Sequence, residues 1–230
     1  MTDSTELPPL SNELIDPFGR KVDYLRLSVT DRCNLRCTYC MAEDMTFLPR
    51  QQILSLEELR DVASAFVELG VRKIRLTGGE PLIRRDIIKL VSAISDLPSL
   101  DEVTMTTNGM LLPKMAQPLK DAGLNRLNIS IDSLRPDRFK ALTRLGDLDV
   151  WHKGIRAAKA ANFAKLKLNA VILAGFNDEE VLDLARYAID NQMDISFIEE
   201  MPLGEISSHQ RVNTQITSQA LRDQLETEFD

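Results

Sequence analysis

Residues 24–40 read YLRLSVTDRCNLRCTYC, a strand-like run that leads directly into three cysteines. From 24 to 30 the apolar and polar side chains alternate, which is the two-residue period of a β-strand. Cys33, Cys37 and Cys40 are the only cysteines in the chain. This stretch therefore joins the first strand of a sheet to a compact group of thiols.

The rest of the chain repeats a strand-and-helix unit. Strand-like segments follow at 73–77, 102–107, 126–132, 165–173 and 195–200. Helical patterns lie near 55–69, 84–97, 113–122, 136–143, 150–162, 178–191 and 217–228. Ser55 and Glu58 predict a capping box at the start of the first helix, whereas Pro118 should kink or delay the third. Helices between successive strands predict an α/β fold with a parallel sheet.

The predicted strands alternate, unlike the near-continuous apolar runs of a sheet that is buried on both faces. If their apolar side chains pack against the helices, the polar ones line the interior of a barrel, among them Arg26, Arg75, Ser130 and Lys167. Burying many polar groups without partners is costly. The pattern therefore predicts a wide, open barrel that holds a large polar ligand. An antiparallel sheet with one solvated face is the alternative, which the helical spacers disfavour.

Composition and charge limit the location and the partners of the chain. The 230 residues carry a net charge of −7, which argues against nonspecific binding to nucleic acids or anionic membranes but not against a local basic pocket for a phosphorylated small molecule. No apolar run approaches the roughly 20 residues of a membrane span, and residues 1–11 lack the order of a signal peptide. We therefore expect a cytoplasmic protein with a flexible N-terminal arm at 1–14 and one domain at 15–230.

The cysteine spacing points to a metal centre. Three thiols within eight residues, in a reducing compartment, favour metal or redox chemistry over disulfides. An iron–sulfur cubane has four irons, so three cysteines leave one iron open to a substrate or cofactor. A structural zinc site needs four ligands, and His152 and His209 lie far along the chain without ligand spacing. Zinc and unrelated buried thiols remain as alternatives.

Two motifs resemble the signatures of radical S-adenosylmethionine (SAM) enzymes. One is Cys-x3-Cys-x2-Cys with Tyr39 before the last cysteine, and the other is Thr77-Gly78-Gly79-Glu80-Pro81 after the second strand. The resemblance implies a partial, open (βα)6 TIM-like barrel with parallel strands and a polar-lined interior. It also implies one 4Fe-4S cluster whose open iron takes the amine and carboxylate of SAM, which is then split to give a 5′-deoxyadenosyl radical.

Longer segments resemble one family within these enzymes, the GTP 3′,8-cyclases of molybdenum cofactor biosynthesis. They are 16–20 (DPFGR), 24–33 (YLRLSVTDRC), 74–81 (IRLTGGEP), 106–109 (TTNG), 128–133 (NISIDS) and 197–202 (FIEEMP). The resemblance implies a lyase that cyclises GTP by radical chemistry in the first step of molybdopterin synthesis. It implies GTP as substrate, an electron donor such as flavodoxin or ferredoxin, the next enzyme of the pathway as partner, and it allows a homodimer.

The same resemblance assigns binding roles to individual residues, with no catalytic residue beyond the cluster. The cluster ligands would be Cys33, Cys37 and Cys40. The residues that contact SAM would be Tyr39, Gly79, Ser130 and Met201, and those that bind GTP would be Arg26, Arg75, Thr106 and Lys167. Arginine suits the phosphates, because its planar fork donates two parallel hydrogen bonds.

The chain departs from the family pattern in one respect. The family carries a second cysteine triad and a glycine-rich tail in its C-terminal third, whereas this chain has no fourth cysteine and stops at Asp230. We therefore expect a fragment that covers the radical SAM core and holds one cluster. The alternatives are another radical SAM enzyme with a different substrate, a fragment that only binds the cluster and SAM, and an inactive or zinc-bound module.

Overall fold

The computed structural model describes residues 13–201 and 211–229. Six strands form within them: β1 Tyr24–Ser28, β2 Lys73–Thr77, β3 Glu102–Thr107, β4 Arg126–Ser130, β5 Lys165–Ile172 and β6 Asp194–Glu199. All neighbours pair in parallel, in the order β1-β2-β3-β4-β5-β6, with β1 and β6 at the two ends of the sheet. The predicted open, parallel α/β fold is confirmed, and the antiparallel alternative is wrong.

Helices connect and follow these strands. They are α1 Leu56–Glu68, α2 Ile87–Ser95, α3 Leu112–Asp121, α4 Pro136–Thr143, α5 Leu148–Ala160, α6 Val181–Asp190, α7 Arg211–Thr214 and α8 Ser218–Leu225. Short 3-10 turns lie at Arg50–Gln52, Pro81–Ile83 and Asp178–Glu180. Only α7 has no counterpart among the predicted helices.

The start of α1 agrees with its sequence signal, whereas α2 starts late. Ser55 Oγ accepts a hydrogen bond from Glu58 N (3.1 Å), and the Glu58 side chain accepts one from Ser55 N (2.7 Å). Both halves of the predicted capping box are therefore present. The pattern at 84–97 predicted an earlier start for α2. The helix begins only at Ile87, because Pro81–Ile83 forms a 3-10 turn and Asp86 has a left-handed φ of 59°.

Helix α3 runs through Pro118. Proline lacks an N–H, so it cannot bond the carbonyl of the residue four positions earlier. That residue is Lys114, which is exposed, so water can satisfy the carbonyl. The helix begins at Leu112, so the expected delay of its start is wrong.

The core lies between the sheet and the helices. Ile74, Leu76, Leu127 and Leu168 are fully buried, while Arg26 is exposed. The alternation along the strands therefore separates an apolar outer face from a polar interior, as predicted.

Residues 1–12 of the predicted N-terminal arm lie outside the described residues, as does His209. From residue 13 onward the chain is attached to the domain, because Leu14 N donates to Leu69 O (3.2 Å) and Ile15 pairs with Lys21 in an isolated bridge. Within the described part, no helix is long and apolar enough to cross a membrane.

Candidate functional site

The polar motifs meet at one edge of the sheet. The cysteine loop follows β1, the glycine pair follows β2, Asn108 follows β3 and Asp132 follows β4. Because parallel strands point the same way, their carboxyl ends lie along the same edge. This edge is therefore the place where the loops can build a common site.

The cysteine loop is attached to the end of α4. Thr38 N donates to Leu142 O (2.9 Å), and Arg36 N donates to Thr143 O (3.1 Å). Within the loop, Cys40 N donates to the carbonyl of Cys37 (3.0 Å). These backbone bonds fix the path of the loop on which all three thiols lie.

The Arg36 side chain organises the loop from within. Its Nη1 donates to the carbonyls of Cys33 and Leu35, both at 2.8 Å. Its guanidinium lies 5.1 Å from the centre of the Phe47 ring, a cation–π distance. Arg36 therefore links the first thiol to the later part of the loop.

The donor set fits an iron–sulfur cluster. All three cysteines are free thiols, and burial raises the pKa of each, most strongly for Cys37, where the nearby Asp132 carboxylate adds to the effect. A bound metal centre would supply the positive charge that stabilises the thiolates. Among the described residues, no group of three or more His, Cys, Asp or Glu side chains is arranged around a single metal ion. In a four-iron cluster each thiolate binds a different iron, so the ligands need not meet at one point.

Tyr39 is tied to the ends of β4 and β5 through Asp132. Its hydroxyl donates to Asp132 Oδ2 (2.8 Å), and Asp132 Oδ1 accepts from Val171 N (2.9 Å). Burial raises the pKa of Asp132 to about 6 and raises the pKa of Tyr39 well above its usual value. Sequence reasoning assigned a role to Tyr39 but none to Asp132, although Asp132 continues the polar face of the strand-like segment at 126–132.

The segment of Gly78 and Gly79 contacts the backbone at 30–32, where the chain enters the cysteine loop. Gly79 N donates to Thr30 O, and Glu80 N donates to Arg32 O, both at 2.8 Å. A Cβ on Gly79 would lie 2.2 Å from Arg32 O, and one on Gly78 would lie 2.3 Å from Thr30 O. The bare glycines therefore allow the backbone of 30–32 to lie directly on this segment, a role that the sequence did not reveal.

A second connection runs through Glu80, which is only 1% exposed. Its carboxylate accepts from Thr107 Oγ1 and from Asn108 N, each at 2.7 Å. Asn108 Nδ2 in turn donates to Asn34 Oδ1 (2.8 Å) and lies 3.9 Å from Cys33 Sγ. Burial raises the pKa of Glu80. Polar side chains from two strand ends thus orient the first cysteine.

The strand register groups the residues predicted to bind GTP. Arg26 lies opposite Arg75 on the neighbouring strand. Thr106 lies opposite Asn128, and Asn128 lies opposite Lys167. Asn128 is buried, and its Oδ1 has no hydrogen-bond partner among the described residues. The four predicted residues therefore occupy adjacent levels of the same interior face.

The charges on this face are only partly neutralised. Arg126, which shares the register level of Arg75, pairs with Glu102 (3.3 Å). Arg26, Arg75 and Lys167 form no ion pair with any described residue. Arg75 instead donates to Thr104 Oγ1 (3.2 Å). An interior with uncompensated cations is suited to an anionic ligand.

The residues predicted to contact SAM are only partly brought together. Tyr39 and Met201 line one cavity of about 220 Å³, which adjoins Cys40. Met201 is 56% exposed. Ser130 and Gly79 do not belong to this lining; Ser130 lies at the end of β4, where its carbonyl accepts a hydrogen bond from the Trp151 indole (3.0 Å).

Two relatives show how much of a longer protein the chain matches. The GTP 3′,8-cyclase of Pseudomonas entomophila (strain L48) is 62% identical over 216 residues, which are 94% of this chain and 65% of that protein. The GTP 3′,8-cyclase of Saccharophagus degradans (strain 2-40) is 56% identical over 220 residues, which are 96% of this chain and 66% of that protein. The predicted resemblance is confirmed, and the chain spans about two-thirds of the length of these relatives.

Solved structures share the fold. Streptococcus suis SuiB bound to S-adenosylmethionine matches with a TM-score of 0.72 and 21% identity over 89% of this chain and 46% of that one. The protein anSMEcpe with bound AdoMet matches with a TM-score of 0.65 and 17% identity over 90% of this chain and 58% of that one. The family model of the radical SAM superfamily matches residues 27–188. Together with the cysteine loop and the open parallel sheet, this match shows that the chain belongs to the radical SAM superfamily.

Proposed function

We propose that this chain is the radical SAM core of a GTP 3′,8-cyclase, a lyase that acts in the cytoplasm in the first step of molybdopterin synthesis. Identity of 62% to the Pseudomonas entomophila enzyme supports this reading. The observation that carries it is the set of unneutralised cations on the barrel interior, Arg26, Arg75 and Lys167, because a triphosphate is the part of GTP that such a set suits best.

In this proposal Cys33, Cys37 and Cys40 hold one 4Fe-4S cluster. When bound, the cluster supplies the electron that cleaves SAM and so starts the radical chemistry. Arg36 and Asn108 keep the loop in shape through their hydrogen bonds to its backbone and to Asn34. These residues act before any substrate is bound, by holding the thiols where three irons can reach them.

SAM would lie in the cavity next to Cys40. Tyr39 and Met201 offer apolar surface there, and the Tyr39–Asp132 hydrogen bond fixes the ring. Ser130 and Gly79 are proposed to contact SAM from the ends of their own strands. The largely apolar wall would limit the contact of bound SAM with water.

GTP would lie deeper in the barrel. Arg26 and Arg75, side by side on neighbouring strands, would hold phosphate oxygens through their guanidinium forks. Lys167 and Thr106 would hold the other end of the nucleotide. Their role is orientation, so that ribose C3′ and guanine C8 are held close enough to be joined.

The proposed partners follow from the same activity. They are an electron donor such as flavodoxin or ferredoxin, the next enzyme of molybdopterin synthesis, and a second copy of the chain in a homodimer. The alternatives are a radical SAM reaction on another substrate, or a chain that only binds the cluster and SAM.

Radical generation is tested by anaerobic reconstitution with iron and sulfide, followed by reduction with dithionite in the presence of SAM. We expect 5′-deoxyadenosine from the unchanged chain and none from Cys37→Ala, which lacks one ligand. Equal amounts from both proteins, or none from either, would contradict the assignment.

The GTP site is tested by equilibrium dialysis of GTP against the whole chain. Arg75→Ala should weaken binding about tenfold or more, since a hydrogen bond to a charged group contributes about 1.5–3 kcal/mol. The matched control is Arg60→Ala, an exposed arginine of α1 that pairs with Asp61 (3.2 Å). An affinity for GTP that Arg75→Ala leaves unchanged would favour the reading in which the chain acts on another substrate.

A further inference from the structure

A cleft of about 460 Å³ lies beside the entry to the cysteine loop. Its walls come from the exit of β1, from the segment at 50–58 and from the turn at 83–86 that precedes α2. Four arginines belong to this lining: Arg32, Arg50, Arg84 and Arg85. In a chain of net charge −7, such a concentration of cations in one place calls for a reason.

Most of this positive charge is uncompensated. The exposed side chains of Arg32 and Arg50 make no ion pair with any residue in the described ranges. Arg85 lies 3.5 Å from Asp86, yet 84% of its side chain is exposed. Arg84 donates to a backbone carbonyl (2.7 Å), which leaves its charge in place.

The lining also holds two carboxylates, those of Glu58 and Asp86, and both have further partners. Glu58 accepts from Ser55 N (2.7 Å) as part of the α1 capping box. Asp86 also contacts Lys89 Nζ at 3.1 Å. Four arginines therefore face two carboxylates in this lining, and the cleft keeps a net positive charge.

The segment that leads into the cleft also exposes large aliphatic side chains. Met45, Leu48 and Leu54 are 43%, 49% and 44% exposed. Asp31 Oδ2 accepts from Leu48 N (2.6 Å), which attaches this segment to the exit of β1. Exposed arginine and methionine are typical of the surfaces by which proteins bind one another, so the combination favours a protein partner over a small anion.

We propose that these arginines, together with the exposed apolar side chains of the segment at 45–54, dock a small acidic electron-carrier protein that reduces the cluster. The proposal rests on the cluster assigned above. Arg32 immediately precedes Cys33, so a carrier bound here lies against the loop that holds the cluster. One electron leaves the reduced carrier and enters the oxidised cluster, and no bond forms or breaks. Transient redox encounters bury little area and are steered by charge, which suits a surface of this kind.

The test uses the reconstituted chain and reduced flavodoxin, an acidic flavoprotein, as the carrier. Cluster reduction is followed anaerobically by stopped-flow absorbance at low ionic strength. Arg50→Glu and Arg85→Glu should each slow it about tenfold or more, and high salt should remove the difference from the unchanged chain. The matched control is Arg156→Glu, which makes the same charge change on the exposed surface of α5.

Dithionite serves as a reductant that needs no docking. With dithionite, both variants should produce 5′-deoxyadenosine at the rate of the unchanged chain. Equal carrier-driven rates in Arg50→Glu and the unchanged chain would overturn the proposal. An equal slowing with both reductants would overturn it too, because the arginines would then act on the cluster itself.

Failure of the docking is distinguishable from failure of the proposed function. If dithionite gives no 5′-deoxyadenosine, the radical assignment fails, but titration of the chain with oxidised flavodoxin still measures docking. Weaker flavodoxin binding by Arg50→Glu then supports the surface. Binding of inorganic phosphate, with flavodoxin affinity unchanged in Arg50→Glu, would make the cleft an anion site and overturn the proposal.

Discussion

Replacing Gly79 by alanine tests whether the glycine pair supports the cysteine loop. The added Cβ would lie 2.2 Å from Arg32 O, 2.6 Å from Arg32 C and 2.8 Å from Asp31 O. All three atoms belong to the backbone, so no side-chain rotation can relieve the clash. Gly79 is not among the residues with a positive φ, so alanine is conformationally allowed and the clash alone determines the effect.

The cost follows from the movement that the clash requires. Ordinary contact begins at 3.4 Å, so the loop entry must move by about 1 Å. That movement stretches the bonds from Gly79 N to Thr30 O and from Glu80 N to Arg32 O, both 2.8 Å long. Overpacking costs about 1–3 kcal/mol and a weakened hydrogen bond about 1 kcal/mol. We expect Gly79→Ala to lower the free energy of unfolding by about 2–4 kcal/mol.

Two measurements check this. Urea denaturation of the cluster-free chain gives the free energy of unfolding, and iron and sulfide per chain after reconstitution give the cluster content, which should fall. The matched control is Gly175→Ala, where φ is +76° and a Cβ would meet no atom within 4 Å. It should cost about 1–2 kcal/mol through backbone strain and leave the iron content unchanged. Full iron content and an unchanged unfolding free energy in Gly79→Ala would refute the reasoning.

Three further predictions concern buried polar groups. Glu180→Ala should lower the free energy of unfolding in urea by about 1–3 kcal/mol, because the buried Ser133 Oγ loses its acceptor, while Arg138 keeps its ion pair with Glu179 (2.7 Å); an unchanged urea midpoint would contradict this. Tyr39→Phe should lower the unfolding free energy by about 1–3 kcal/mol, since the buried Asp132 loses a donor; an unchanged urea midpoint would speak against it. Because the pKa of Asp132 rises from 3.8 to about 6, the folded chain binds this proton more tightly, and stability falls as the pH rises through that range. Between pH 5 and 7 the free energy of unfolding of the metal-free chain should fall by about 1 kcal/mol more than that of Asp132→Asn. Equal slopes of unfolding free energy against pH in the two proteins would disprove this.

Local sequence patterns were sufficient for the sheet and for one helix start. The predicted strand at 165–173 forms as Lys165–Ile172, because alternation records directly which side of a strand meets the helices. The capping box of α1 was predictable, since Ser55 and Glu58 interact over three positions. The start of α2 was not, because it depends on a 3-10 turn and on the left-handed Asp86.

The supports of the site could not be predicted, because they join distant parts of the chain. Tyr39 and Asp132 are 93 positions apart, and Asn108 reaches Asn34 across 74 positions. No periodicity in the sequence records such pairs. The role of Gly79 could not be predicted for a similar reason, since a glycine motif indicates that a Cβ is excluded but does not indicate which atoms exclude it. The assignments to SAM and GTP stay predictions.

The pairing of Arg26 with Arg75 has a consequence for how the interior can change. Their separation is set by the hydrogen-bond ladder between β1 and β2, at about 5 Å between strands, and not by side-chain packing. A point substitution can remove one charge without moving the other. A single-residue insertion before Arg75 in β2 would instead turn it toward the helices and bring Ile74 or Leu76 inward. Length changes in this barrel are therefore tolerable only in the loops, and the strands must keep their residue count even where their chemistry varies.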